Sequence, residues 1–464
     1  MALPELITDP AIIAGYLSDA SNTHGSADAL LRPTSTLEVA AIIRHCQANV
    51  IPLTVTARRT STTGAPVPEG GWLLSTEKLA TLHAPDDVDA GMLLGEYQAA
   101  IEAQGLFFPP DPTSRHECSV GGAVACNASG ARTYAYGPTR PWIRKVEAVL
   151  ADGTVVQADR ETPCPWPVPA WSEPHVKTAA GYFPATNLLD ALIGAEGTLG
   201  VVTRVWTRLI PLPRHVLAIF AFFPSRASLL DFLTEARATR TRITPGGARE
   251  DGGAGLRPRC IEYFDRRSLD LIRSRVPVSE ADSAVLFEIE HDGEPPLEAW
   301  IDALQRHGAL VDDTIVAEDE AGLARLHAIR HALPAEVNEI IARNGVRKVG
   351  TDFAVPDSAL PEMLALYDDT GGMPAVCFGH LGDNHLHLNF LPRTQEEWAQ
   401  AKDRYMTLAR RAVALGGTVS AEHGIGRLKR AHLAMMVGDE QIAAWRALRK
   451  LADPSGILGR GVMV

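Results

Sequence analysis

Cysteine is sparse and unpatterned in this chain: six residues, Cys46, Cys118, Cys126, Cys164, Cys260 and Cys377, with no Cys-x-x-Cys pair. That spacing suggests neither a cysteine-ligated iron–sulfur cluster nor a disulfide framework, so the six read as reduced, mostly buried thiols. A basic excess is also missing. Against 44 Lys plus Arg stand 56 Asp plus Glu, a formal net charge of −12, and a field of that sign argues against a nucleic-acid partner. No apolar run approaches the roughly 20 residues of a bilayer span; the most apolar stretch, 216–224, is far shorter. The N-terminal residues lack the basic start and apolar core of a secretory signal. The expectation is a cytoplasmic protein without a transmembrane segment, any membrane contact being peripheral at the inner face. Neither a Gly-x-Gly-x-x-Gly run after a strand nor a P-loop occurs, so nicotinamide and ATP are not the first candidate ligands.

What is present points to a chain of two or three domains, since 464 residues exceed the roughly 250–300 at which single cores stop growing. Ser35-Thr36-Leu37-Glu38 has the spacing of a capping box, and Leu37, Val39, Ile42, Ile43 and Cys46 continue it as an amphipathic helix ending near Asn49. A strand over 50–56, a polar loop over 58–64, a short strand at 71–75 and a helix over 93–104 follow. Asp152-Gly153 within 146–156 predicts a hairpin. Pro211-Leu212-Pro213 is the expected boundary, dividing the chain into 1–213 and 214–464. Beyond it, strands expected from 216 and at 284–290, 348–355, 375–378 and 385–390 alternate with helices at 227–239, 298–307, 321–342 and 361–367. That is α+β material, with a glycine-rich loop over 246–255.

Three histidines and an aspartate fall within Gly379-His380-Leu381-Gly382-Asp383-Asn384-His385-Leu386-His387-Leu388-Asn389. In a strand from 384 to 390, His385, His387 and Asn389 share one face while Leu386, Leu388 and Phe390 share the other, which is the expected core face. A turn at Gly382-Asp383-Asn384 would bring His380 toward His387. Imidazoles in that arrangement suit zinc, iron, copper or nickel, although a polar strand face is often simply solvated. The small-residue run 119–130 lets backbone press against a flat or anionic ligand and reads as a cofactor cradle. A second glycine-rich segment, 192–203, runs into a strand.

The segments 111–130 and 194–200 resemble the flavin-binding half of the FAD-linked oxidases of the vanillyl-alcohol oxidase superfamily. The later signatures resemble its D-2-hydroxyacid dehydrogenase branch (D-lactate, glycolate and D-2-hydroxyglutarate enzymes): Gly379-His380-Leu381-Gly382-Asp383 with His387, then Glu422-His423-Gly424-Ile425-Gly426. The resemblance covers the chain from about Arg32 onward. It implies a two-part FAD-binding domain of the PCMH type followed by an α+β FAD-linked oxidase C-terminal domain. It also implies FAD contacts at Pro110, Asp111, Thr113, Ser114, Gly121, Gly122, Asn127, Gly130, Glu196, Thr60, Ser61 and Gly64. His380, His387 and Glu422 form a two-His, one-carboxylate set for a divalent metal, zinc first and manganese or iron as alternatives. His423 takes the family's place of general base, and Arg330 that of the arginine on the substrate carboxylate. Lys348 and Asp352 align more loosely with a pocket strand.

The implied reaction is oxidation of a small D-2-hydroxyacid, with hydride to FAD and electrons onward to a quinone, a carrier flavoprotein, a cytochrome or oxygen; a homodimer is left open. Two departures stand out. His385 replaces an asparagine common among relatives and reads as an extra ligand, a substrate contact or, preferentially, an outer hydrogen-bonding partner. In the first flavin loop, relatives carry Arg-Gly-x-Gly-Thr, whereas Thr56, Ala57, Arg58 and Arg59 stand over its first four positions and Ala65 replaces a further glycine. Positive φ would be strained there, and the two arginines either meet the diphosphate or block it. A metal-independent flavin alcohol oxidase and a flavin-deficient partner subunit are the competing readings.

Overall fold

Parallel pairing of Ala29–Leu31 and Leu53–Thr56 on either side of Trp72–Ser75 opens the computed structural model, which describes residues 3–251, 255–276 and 280–464. Helix Thr36–Asn49 covers this small sheet: Val39, Ile42, Ile43 and Cys46 pack against Leu53, Leu74 and Val149. Ser35 caps it through the Glu38 amide as expected. The Glu38 carboxylate reaches one residue further back than a capping box requires, to the Thr34 amide and hydroxyl. A five-stranded antiparallel sheet follows, in the order Leu82–Ala84, Asp87–Asp89, Val201–Thr207, Ile143–Val149, Val155–Ala158. Its last pair is the hairpin signalled by Asp152-Gly153.

The second half carries an eight-stranded antiparallel sheet. Its order is Ile315–Ala317, His215–Phe223, Ser283–His291, Cys260–Asp265, Ala375–His380, His385–Phe390 and Val349–Gly350, with Phe353–Ala354 also on His385–Phe390. Strand His215–Phe223 is apolar without alternation because both faces are covered. Ile219, Ala221 and Phe223 meet Phe232 and Trp300, while Ala218, Phe220 and Phe222 meet Leu326 and Ile329. The strand expected over 348–355 is interrupted at Thr351-Asp352, where Thr351 takes the Leu388 amide on its hydroxyl. That break frees Asp352 from the ladder. Part of the loop expected over 246–255 is a two-stranded ribbon, Thr241–Ile243 with Arg249–Asp251; residues 252–254 lie outside the described ones.

The C-terminal stretch returns to the first half. Leu433, Trp445, Val462 and Met463 join the core of Leu94, Tyr97 and Leu189, and Leu458 bridges to Leu53. Among the described residues, no helix is long and apolar enough to cross a membrane.

Candidate active site

Leu381–Asp383 and Asn384 (φ 51°) turn strand Ala375–His380 into His385–Phe390, placing His380 opposite His385 and Phe378 opposite His387. Leu386, Leu388 and Phe390 enter the core as their alternation requires. The opposite face is not solvated either: His385 is 0% and Asn389 2% exposed. A buried polar face needs partners, and each imidazole finds one for a single nitrogen. His380 Nδ1 lies 2.6 Å from Glu262 Oε1, and His387 Nδ1 donates to the Thr351 carbonyl at 2.9 Å. His385 Nε2 lies 2.8 Å from Asp352 Oδ1, a close charge contact off the line of a full hydrogen bond. The other nitrogens converge on Glu422: His380 Nε2 and His387 Nε2 are each 3.2 Å and His385 Nδ1 is 3.7 Å from its carboxylate.

Asp352, fully buried, brings Glu422 and His423 to this point. Its carboxylate accepts from the Glu422 amide at 3.2 Å, the His423 amide at 3.1 Å and the Ser420 hydroxyl at 2.8 Å, and pairs with Lys429 Nζ at 2.5 Å. The glycines behind His423 have steric reasons. Gly424 (φ 73°) would set a Cβ 2.9 Å from the Glu196 carboxylate, and Gly426 (φ 52°) one 2.2 Å from the Thr63 carbonyl. Glu196 carboxylate oxygens accept from the Ile425 and Gly426 amides at 2.7 and 2.8 Å. Thus the second flavin-type loop grips the Glu-His segment directly. Burial pushes the Glu196 carboxyl up to about 7, against the pull of those two amides.

Three buried carboxylates are each matched by a cation: Glu262 by Arg330 at 2.7 Å, Asp352 by Lys429, and Glu422 by Lys177 at 3.0 Å. Burial would raise all three acids. Arg330 and His380 instead hold Glu262 at about 2, and their neighbours keep Asp352 and Glu422 well below the usual range. Burial lowers the His423 imidazole to about 4 despite Asp352 and Glu422, so it is neutral at neutral pH. Its Nδ1 is 3.4 Å from Asp352 Oδ2 and its Nε2 3.5 Å from Glu422 Oε1. Lys348 is exposed, and its stem passes Gly350 beside Asn389.

Sequence reasoning brought His380, His387, Glu422, His423 and Arg330 to one place. It missed Glu262, which joins Arg330 to His380, and Lys177. Neither lies in a motif, and Glu262 reaches His380 only because strands Cys260–Asp265 and Ala375–His380 are neighbours, with those two residues in register.

The cradle over 119–130 is a short helix, Val120–Cys126, capped by Ser119 and ended by Asn127 in the left-handed region. Gly121 and Gly130 allow close packing on Ala90 and on the Asp111 backbone, whereas Gly122 has only the Ser119 hydroxyl near. Asp111 accepts from the Arg132 amide, Pro110 from Gln98, and Asn127 from the Arg140 amide; Thr113 is exposed and Ser114 half-buried. In the first loop Arg59 does adopt φ 57°, and its guanidinium stacks on Tyr16 at 4.4 Å. Gly64 (φ 76°) donates to Asp19. No hydrogen bond within the described residues uses the backbone N–H of Arg59, Thr60, Ser61 or Thr62. Buried Arg58 Nε, Thr56 Oγ1 and Ser129 Oγ also lack partners. Donors left open in this way fit a bound diphosphate, as the inward imidazole nitrogens fit a cation.

Residues 27–159 match the FAD binding domain family, and residues 248–463 match the family of FAD linked oxidases, C-terminal domain. The chain is 30% identical to D-2-hydroxyglutarate dehydrogenase, mitochondrial, of Bos taurus over 98% of its own length and 80% of the relative's. It is 29% identical to D-lactate dehydrogenase of Archaeoglobus fulgidus, with 94% and 91% covered. With the glycolate oxidase subunit of Bacillus subtilis it shares 28% identity, with 97% and 91% covered. Among solved structures, alkyldihydroxyacetonephosphate synthase aligns with a TM-score of 0.69 at 15% identity, over 98% of this chain and 81% of that one.

Proposed function

The chain belongs to the family of FAD-linked oxidases, and on that premise we propose that it oxidises a D-2-hydroxyacid to the 2-oxoacid beside Glu422. Its fold is the two-domain arrangement of that family, an FAD-binding domain of the PCMH type and a C-terminal oxidase domain. We divide it at 213/214, with the C-terminal stretch crossing back to the flavin half. The observation that carries the reading is the convergence of His380, His387, Glu422 and His423, with Arg330 joined to His380 through Glu262.

Bound FAD, held by the 56–64 and 110–130 segments, supplies the two-electron acceptor, and a divalent cation on His380, His387 and Glu422 supplies Lewis acidity toward the hydroxyl and carboxylate oxygens. Arg330 commits Nε to Glu262 and offers its terminal nitrogens to the substrate carboxylate. His423, neutral and with Nδ1 toward Asp352, presents the Nε2 lone pair and takes the hydroxyl proton there. Asp352 and Glu422 then stabilise the imidazolium. The three carboxylates and three cations of the site already balance, so an added divalent cation leaves two positive charges. A substrate carboxylate offsets one of them and the developing alkoxide the other, while the transferred proton leaves its charge on His423 beside Asp352 and Glu422. The electron acceptor we propose is a quinone, a carrier flavoprotein or a cytochrome.

The test is His423→Ala. It should keep its flavin and metal content while flavin reduction by substrate slows by about 10²–10⁴-fold. Unchanged reduction would remove His423 from the base role.

A further inference from the structure

We propose that His385 is a fourth protein ligand of the cation, so that the donor set is three imidazoles and one carboxylate rather than two and one. The inference rests on the metal reading above and deepens it. The placement of His385 goes beyond an outer hydrogen-bonding role. The ring is completely buried, and Nδ1 has no hydrogen-bond partner. Nδ1 faces the same Glu422 oxygen that His380 faces, at 3.7 against 3.2 Å. The ligand atoms of His380, His385, His387 and Glu422 all lie within 4.8 Å of one another. Bonds of about 2.1 Å to one ion would set such atoms roughly 3 to 4.2 Å apart, so small side-chain shifts close the shell.

The second observation is the pattern of outer partners. Ligating histidines almost always give their other ring N–H to a carboxylate, carbonyl or water, which fixes the tautomer and points the lone pair at the metal. His380 has Glu262 in that place, His387 has the Thr351 carbonyl, and His385 has Asp352. All three imidazoles therefore turn one nitrogen to an outer oxygen and the other toward Glu422, by hydrogen bonds for His380 and His387 and by a 2.8 Å charge contact for His385. An outer-partner role for His385 would require its inward nitrogen to donate to Glu422. Its outward nitrogen would then face the Asp352 carboxylate without a proton, two acceptors 2.8 Å apart. Protonating both nitrogens would resolve that contact but put another cation beside Lys177 in a closed space.

Four protein ligands leave two positions on a six-coordinate ion, the number that the hydroxyl and carboxylate oxygens of one 2-hydroxyacid need, and none on a four-coordinate one. The extra histidine thus makes substrate chelation depend on an ion that expands its coordination.

The test is X-ray absorption spectroscopy on the zinc-loaded, flavin-containing protein, which counts imidazole ligands without turnover, paired with a chelator competition for zinc affinity. The wild type is expected to show three imidazoles. His385→Asn is expected to show two, with affinity lowered more than about 100-fold, beyond the 10–100-fold typical of outer partners, and with unchanged flavin content as the control for folding. A wild-type count of two overturns the fourth-ligand assignment whatever the variant does, and leaves the two-histidine metal reading standing. Failure of the wild type to hold any stoichiometric metal overturns both.

Discussion

Glu262 links the two side chains proposed to meet the two ends of a substrate. One carboxylate oxygen holds Arg330 Nε and the other His380 Nδ1, each within 2.7 Å. Arg330, proposed for the substrate carboxylate, and His380, proposed for the cation, are therefore set by the same anion, whose low pKa keeps it charged throughout the working range. Glu262→Gln retains the shape and removes the charge. Metal affinity is expected to fall 10–100-fold and the substrate KM to rise, because Arg330 and His380 lose their common anchor. Unaltered KM and metal content would show that the two residues are positioned independently. Breaking a buried pair this way also costs about 3–5 kcal/mol, so a lowered Tm should accompany the kinetic effect.

Among elements, the histidine hairpin was legible because strand alternation and turn residues are local signals: Gly382-Asp383-Asn384 turns and the leucines go in. Asp352 was legible only loosely, since its role depends on an interrupted strand that pairs with the hairpin, and sequence spacing carries no record of which strand is the neighbour. The run 119–130 was read for its small residues and missed as a helix, because three glycines and three alanines among twelve residues carry little periodicity. Helices Gln395–Ala414 and Arg430–Ala452 also went unread; the second is bent by non-helical backbone at Gly438. His432 joins these two helices, its ring edge-on to Tyr405 at 4.9 Å with neither nitrogen hydrogen-bonded. Burial lowers its imidazole from 6.5 to about 4. The folded state thus binds the proton less readily than the unfolded chain. Stability from neutral His432 is complete above about pH 6.5 and is lost as pH falls toward 4. His432→Leu should hold its Tm closer to the neutral value across that window than the wild type does. Parallel Tm curves for the two proteins would contradict this.

At the scale of the whole molecule, the two halves meet at the chemistry. Glu196 ties the flavin-side loop to Ile425 and Gly426, Thr63 lies under Gly426, and Lys177 reaches Glu422 from the first half. Neither half alone contains the site, which is why composition and family resemblance could name its residues without revealing what holds them together. Glu196→Gln leaves one acceptor and turns an amide donor against a backbone N–H, at a cost of about 1–3 kcal/mol. Flavin reduction should slow in that variant while metal content is unchanged; normal reduction would show that the junction does not position His423. The account as a whole claims that a bound flavin and a bound cation act on one D-2-hydroxyacid. The most direct test is anaerobic mixing of the flavin-loaded protein with D- and L-lactate and D- and L-2-hydroxyglutarate, with the cation present and after its removal by a chelator. Loss of the oxidised-flavin absorbance with a D-acid, not with its L-enantiomer, and only with the cation in place, is the predicted result. Protein that takes up no FAD, or flavin that none of these acids reduces, would contradict it.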